Sequence, residues 1–215
     1  MNLKIAELLF IVVAVGFRLI SGPTANASFV LLALYTLVGP RQLICSFFLC
    51  WLFLMVNPGI APTASMASIG RFLVFFFGLI SMIWHSGFLS GNFHINKFTF
   101  WTLLLGGATL FHSLLFSQLV DVSILKSISW LIVMGVLVSA WSGLDLTVRE
   151  ETVGLIFNGL SAVAFLSLPF VATSVGVLRN GTGFQGVLSH PQAFGPTMGI
   201  LAGWAITRLM KQRKP

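Results

Sequence analysis

The chain has 215 residues, of which 57% are apolar and only 8% charged. A soluble domain carries about 25% charged residues, so this composition excludes a water-soluble enzyme, a secreted disulfide scaffold and a disordered tail, and points to an integral membrane protein. The net charge of +7 does not indicate nucleic acid: four of the twelve basic residues (Arg208, Lys211, Arg213, Lys214) cluster at the C-terminus. The others stand singly at the ends of apolar runs, as in a multi-pass membrane protein.

Taken in chain order, the first apolar run is Ile5–Ile20, ended by Ser21-Gly22-Pro23. Ala25-Asn26-Ala27 has the small-x-small form of a cleavage site. Glu7 and Arg18 flank the apolar stretch Leu8–Phe17 within this run, however, and the rest of the chain is equally apolar, so a retained first membrane helix is expected. The stretch Ser28–Val56 is interrupted by Gly39-Pro40-Arg41-Gln42. One continuous helix there would hold Arg41 in mid-membrane at roughly 2.5–3.5 kcal/mol, so two short helices are expected, Ser28–Val38 and Leu43–Val56. Cys45 and Cys50 in this stretch read as small buried residues, without metal-ligand spacing.

Asn57–Gly70, with Pro58, Gly59 and Pro62, reads as a loop, and Arg71–Trp84 as a helix. His85–Lys97 is a polar loop. Phe98–Val120 is long enough to span, with Gly106-Gly107 as a close-packing point. Ser127–Trp141 follows a hinge around Asp121. Ser142–Thr152 is a charged loop, Val153–Val171 spans again, Thr173–Ala193 is a Gly-rich polar loop, and Phe194–Leu209 is the last helix.

These segments predict an all-α, polytopic membrane helix bundle of about eight transmembrane segments, or seven if residues 28–56 form one helix. They make a single transmembrane domain over 1–215. Eight segments put both termini on one side, and the basic tail places them in the cytoplasm. The loop Thr173–Ala193 then lies outside.

That loop, running from Arg179 through Gly181, Gly183 and Gly186 to Ser189-His190-Pro191-Gln192, carries the densest set of chemistry-bearing residues. Its glycines let backbone approach a ligand closely. Pro191 presets a helix start or turn, free N–H groups at the start of the Phe194 helix would attract an anion, and Arg179 can pair with a phosphate. The arrangement suits a phosphate-bearing, lipid-anchored ligand at the membrane face. A loop that merely turns the chain is the bland alternative.

The run Gly183-Phe184-Gln185-Gly186-Val187-Leu188-Ser189-His190-Pro191-Gln192-Ala193-Phe194-Gly195 resembles the signature Arg-Phe-x-Gly…His-Pro-Asn-x-x-Gly of the O-antigen ligase and polymerase family, bacterial inner-membrane glycosyltransferases. Two positions depart from it: Gln192 stands for Asn, and Gly183 for Arg, with Arg179 four residues upstream. The resemblance implies a bacterial plasma-membrane protein of lipid-linked polysaccharide polymerisation or ligation. Its partner would be a glycan on a polyprenyl diphosphate carrier, with no cofactor and no metal. Family members are longer, and their second half holds a large external loop with further Arg residues and a His thought to act in catalysis. The resemblance therefore covers the N-terminal half only. A second half or a partner membrane protein would supply most of the glycosyltransferase chemistry. The residues expected to bind the carrier diphosphate are Arg179, His190, Gln192 and Gly186, with Arg71 a possible addition; a helix-capping or packing role is the alternative for His190.

Other residues read more simply. His112 inside a span suits a hydrogen bond to a neighbouring helix, and Asn158 likewise. His85 and His94 flank a polar loop and suit solvent. Adjacent Glu150 and Glu151 cannot face one another on a helix and suit a cytoplasmic loop. Arg71 can snorkel. The six tryptophans fall mostly near run ends, as in an interface belt. A non-catalytic membrane scaffold or subunit and a transporter fragment remain the alternatives.

Overall fold

The computed structural model describes residues 3–85, 97–178 and 180–212. Among these the chain is all-helical: α1 Leu3–Ile20, α2 Gly22–Thr36, α3 Pro40–Met55, α4 Ala67–His85, α5 Lys97–Phe116, α6 Val120–Ser142, α7 Leu146–Ser167 and α8 Pro191–Gln212. Two single turns of 3-10 helix, Leu168–Ala172 and Ser174–Gly176, follow α7.

Among the described residues four stretches are long and apolar enough to cross a membrane: α4, α5, α6 and the run Leu146–Ala172. The all-helical membrane architecture expected from the sequence is present, but the expected seven to eight spans reduce to these four, with shorter apolar helices beside them. α2 and α3, at 15 and 16 residues, reach only about 23–24 Å at 1.5 Å per residue, short of the roughly 30 Å hydrocarbon core.

Proline and small polar residues set the breaks. Ser21-Gly22-Pro23 ends α1 but also starts α2, earlier than the expected Ser28. Pro lacks the N–H that a first helical turn leaves unpaired anyway. The Ser21 N–H donates to Thr24 Oγ1 at 3.0 Å and the Thr24 N–H to Ser21 Oγ at 3.4 Å, a reciprocal cap. The second break falls at 37–39, and Pro40 opens α3. The expected pair of short helices is present there. The hinge around Asp121 narrows to Ser117–Leu119, with Asp121 in the first turn of α6.

The expected charged loop Ser142–Thr152 is corrected: only 143–145 lie outside helices, and Arg149, Glu150 and Glu151 belong to α7. Arg149 donates from Nη2 to the Ser142 carbonyl at 3.1 Å and lies 5.8 Å from the Trp141 ring centroid. This closes the turn. Of the polar loop expected over His85–Lys97, residues 86–96 and so His94 lie outside the described residues.

The chain forms two compact units. The first comprises Met1–Leu31, Phe48–Ala67 and Glu150–Pro215. In it Phe29 meets Phe53 edge-on at 6.2 Å, and Phe157 of α7 stacks on Trp204 of α8 at 4.6 Å, nearly parallel. Arg18 is buried at the end of α1. It donates from Nε to the Phe53 carbonyl at 3.1 Å and from Nη1 to the Pro62 carbonyl at 2.7 Å. A cation bonded to a helix's last carbonyls is favourable, so Arg18 fastens α1 to the end of α3 and the chain after it.

The second unit comprises Leu32–Phe47 and Ser68–Arg149. Gly78 of α4 sits against Phe47, leaving no room for a Cβ (2.6 Å). Ser81 Oγ donates to the Thr36 carbonyl at the end of α2. Gly106 of α5 lies under Leu131 of α6, where a Cβ would come within 2.7 Å, as expected for the Gly106-Gly107 point. Gly107 itself faces open space. Hydroxyl pairs Ser113–Ser127 (2.9 Å) and Ser117–Ser123 (2.6 Å) complete this helix pair.

Candidate functional site

The loop after α7 is built and anchored, within the first unit. Val177 bridges Phe184, and the Leu178 N–H donates to the Gly183 carbonyl at 3.0 Å. The chain between them makes a hairpin. At its tip Gly181 has φ +71°, in the left-handed region glycine favours. Asn180 Oδ1 accepts from the N–H and hydroxyl of Thr182, at 3.1 and 2.6 Å. The tip residues 180–182 are exposed.

Beyond the hairpin the loop runs antiparallel to the end of α3. Val56 bridges Leu188, the Asn57 N–H donates to the Val187 carbonyl at 2.9 Å, and the Ser189 N–H to the Met55 carbonyl at 2.6 Å. Asn57 is the hub. It is 2% exposed. Its Nδ2 donates to the carbonyls of Val175 (2.8 Å) and Gly186 (3.0 Å), and its Oδ1 accepts from the Gly59 N–H at 2.9 Å. Ser167 adds a second tie: its hydroxyl donates to the Val163 carbonyl at 2.7 Å and accepts from the Val187 N–H at 3.1 Å.

The expected site residues divide into those that hold the loop and those on its exposed edge. Gly186 holds it: it is buried, has φ +57°, and a Cβ there would lie 2.6 Å from Ser167 Cβ. Its lack of a side chain serves packing of the loop on α7. His190 and Gln192 are exposed at the start of α8. Arg179 lies outside the described residues, between Leu178 and Asn180 of the hairpin. Arg71 belongs to the other unit, on α4, with its guanidinium 4.9 Å from the Phe72 ring centroid. Its Nε is buried without a hydrogen-bond partner among the described residues.

The start of α8 differs from the expected anion site. The helix begins at Pro191, before the expected Phe194, and Pro has no N–H. The next three N–H groups are all taken by His190. Gln192 donates to its Nδ1 at 3.2 Å, and Ala193 and Phe194 to its carbonyl at 3.0 and 3.1 Å. His190 therefore caps its own helix. With Nδ1 accepting, the neutral ring carries its proton on Nε2.

Gly183, where the family signature has Arg, packs on Pro191, whose ring atoms would lie 3.0 Å from a Cβ. Phe184 meets Phe194 of α8 edge-on at 5.2 Å, which clamps the loop to the helix. Gln185 is buried; its Nε2 donates to the Val175 carbonyl at 3.1 Å, and its Oε1 has no partner among the described residues.

Asn57, Ser167 and Gln185 escaped the sequence reading. Asn57 did leave a signal: an Asn directly before Pro-Gly at the end of an apolar helix favours a side-chain-closed turn. Two expected intramembrane hydrogen bonds are absent among the described residues. His112 is exposed on α5 with its ring 5.1 Å from Phe116, and Asn158 is exposed on α7 without a hydrogen bond. Cys45 and Cys50 are buried in α3. Among the described residues no group of three His, Cys, Asp or Glu side chains gathers.

No family model matches this chain, and no curated protein or solved structure matches it.

Proposed function

We propose that this protein works in the polymerisation or ligation of lipid-linked polysaccharide in the bacterial inner membrane, with both termini in the cytoplasm. Its loop 173–190 would receive the diphosphate of a polyprenyl-linked glycan. The carrying observation is the division of labour in that loop. Asn57, Ser167 and Gly186 fix its backbone from below. The hairpin tip, His190 and Gln192 stay exposed on its edge.

In this reading the Nε2–H of His190 donates to a diphosphate oxygen. Its Nδ1 is already committed to the helix, so the ring acts as a donor and not as the base for the acceptor hydroxyl. Arg179 supplies the fixed charge that a diphosphate leaving group needs as its negative charge develops. Gln192 supplies an amide beside it. The general base and further cations come from a second membrane segment or a partner protein.

The test is genetic and chemical. Cells lacking the protein should accumulate carrier-linked glycan of short length, and the wild-type gene should restore long product. Arg179→Ala and His190→Ala should fail to restore it while reaching the membrane in normal amount. Unchanged glycan in the deletion, or full restoration by both variants, would discard the reading in favour of a scaffold role.

A further inference from the structure

We infer that the second unit holds an anionic phospholipid in a groove on the α5–α6 pair. The groove has a volume of about 220 Å³ and is lined by Ile44, Phe98, Leu137, Val138 and Trp141. One water needs only roughly 10–15 Å³ and several polar partners. This space is far larger and offers apolar side chains, so it suits part of an acyl chain.

Two cations adjoin the lining, and Asp145 is the acidic residue in the turn between α6 and α7. Trp141 lies in the last turn of α6, and the Arg149 guanidinium lies 5.8 Å from its ring centroid. Arg149 spends one Nη on the Ser142 carbonyl, while its Nε is buried with no hydrogen-bond partner among the described residues. Lys97 directly precedes Phe98 of the lining and is exposed. α5 begins and α6 ends at this end of the helix pair, so the apolar cleft opens where a lipid's phosphate lies. Bulk lipid would fill an apolar cleft without preference. Two cations at its mouth select a phosphate with net negative charge. The occupant is therefore a phospholipid such as phosphatidylglycerol, with its tail against Val138 and its phosphate between Arg149 and Lys97.

The probe is an equal mixture of phosphatidylglycerol and phosphatidylcholine, exchanged onto the full-length protein in nanodiscs. Lipid retained after transfer to detergent is counted by native mass spectrometry. Each membrane-surface cation contributes about fivefold in affinity, so Arg149→Gln combined with Lys97→Gln should bring a strong preference for phosphatidylglycerol close to parity. Val138→Trp should fill the groove and lower retention of both lipids. Millimolar glycerol phosphate should displace neither. Exposed Lys97→Gln alone serves if the double variant unfolds, and should lower the preference about fivefold. Equal retention of the two lipids by the wild type would overturn the proposal. So would an unchanged ratio in the folded variants, or displacement by glycerol phosphate, which would mark a simple phosphate site.

Discussion

The α5–α6 pair and the loop after α7 are held together by opposite means. The helix pair uses neighbours in sequence: Gly106 under Leu131, and two serine pairs 14 and 6 residues apart. Its grip is close packing with a few hydroxyl bonds, the usual glue between helices in lipid. The loop uses partners far apart in sequence: Asn57 reaches residues 118 and 129 positions away. Irregular backbone at a membrane protein's core must find internal partners for its polar groups. One buried amide side chain supplies several at once. The helix pair therefore spreads its grip over one close contact and several weak hydroxyl bonds, whereas the loop depends on a small number of buried polar atoms.

The largest expected effect is at Asn57. Asn57→Leu would strand the buried Gly186 carbonyl, at roughly 1–3 kcal/mol, and release the Asn57-closed turn at Gly59. Hydrogen exchange should accelerate in peptides covering 55–61 and 175–189 while 97–142 keeps its protection. Uniform acceleration across both regions would break the contrast. Gly186→Ala comes next. It combines a left-handed backbone, about 1–2 kcal/mol for an L-residue, with crowding against Ser167 of about 1–3 kcal/mol. Thermal unfolding should fall by several degrees. The smallest effect is in the helix pair. A double-mutant cycle on Ser113→Ala and Ser127→Ala should give a coupling near 0.6 kcal/mol. A value as large as that for Asn57 would erase the distinction.

The same contrast explains what was legible in the sequence. Helix existence was legible because apolar runs and prolines act locally: the pair α2 and α3 and the Gly106 contact could be read from spacing, whereas the last helix starts three residues before the expected Phe194. Boundaries slipped where a residue plays two parts. Gly22-Pro23 stops one helix and starts the next, and the charges at 149–151 ride on α7 because a helix end at the interface accepts them as readily as a loop does. In the candidate site, the turn residues His190 and Pro191 were visible. Their use was open between anion binding and helix capping, and His190 spends its Nδ1 and carbonyl on the helix start that was to bind the anion. Asn57 lay more than a hundred positions from the loop it anchors, and no local pattern encodes that pairing.

The central claim is that the exposed edge of the loop meets a lipid-linked diphosphate. Its most direct test is photo-crosslinking of the protein in native membranes with a diazirine-bearing polyprenyl diphosphate, followed by peptide mapping. The account predicts an adduct within residues 178–193 that excess unlabelled carrier diphosphate competes away and Arg179→Ala weakens. An adduct confined to other helices, or one that polyprenol without its diphosphate competes equally well, would contradict it.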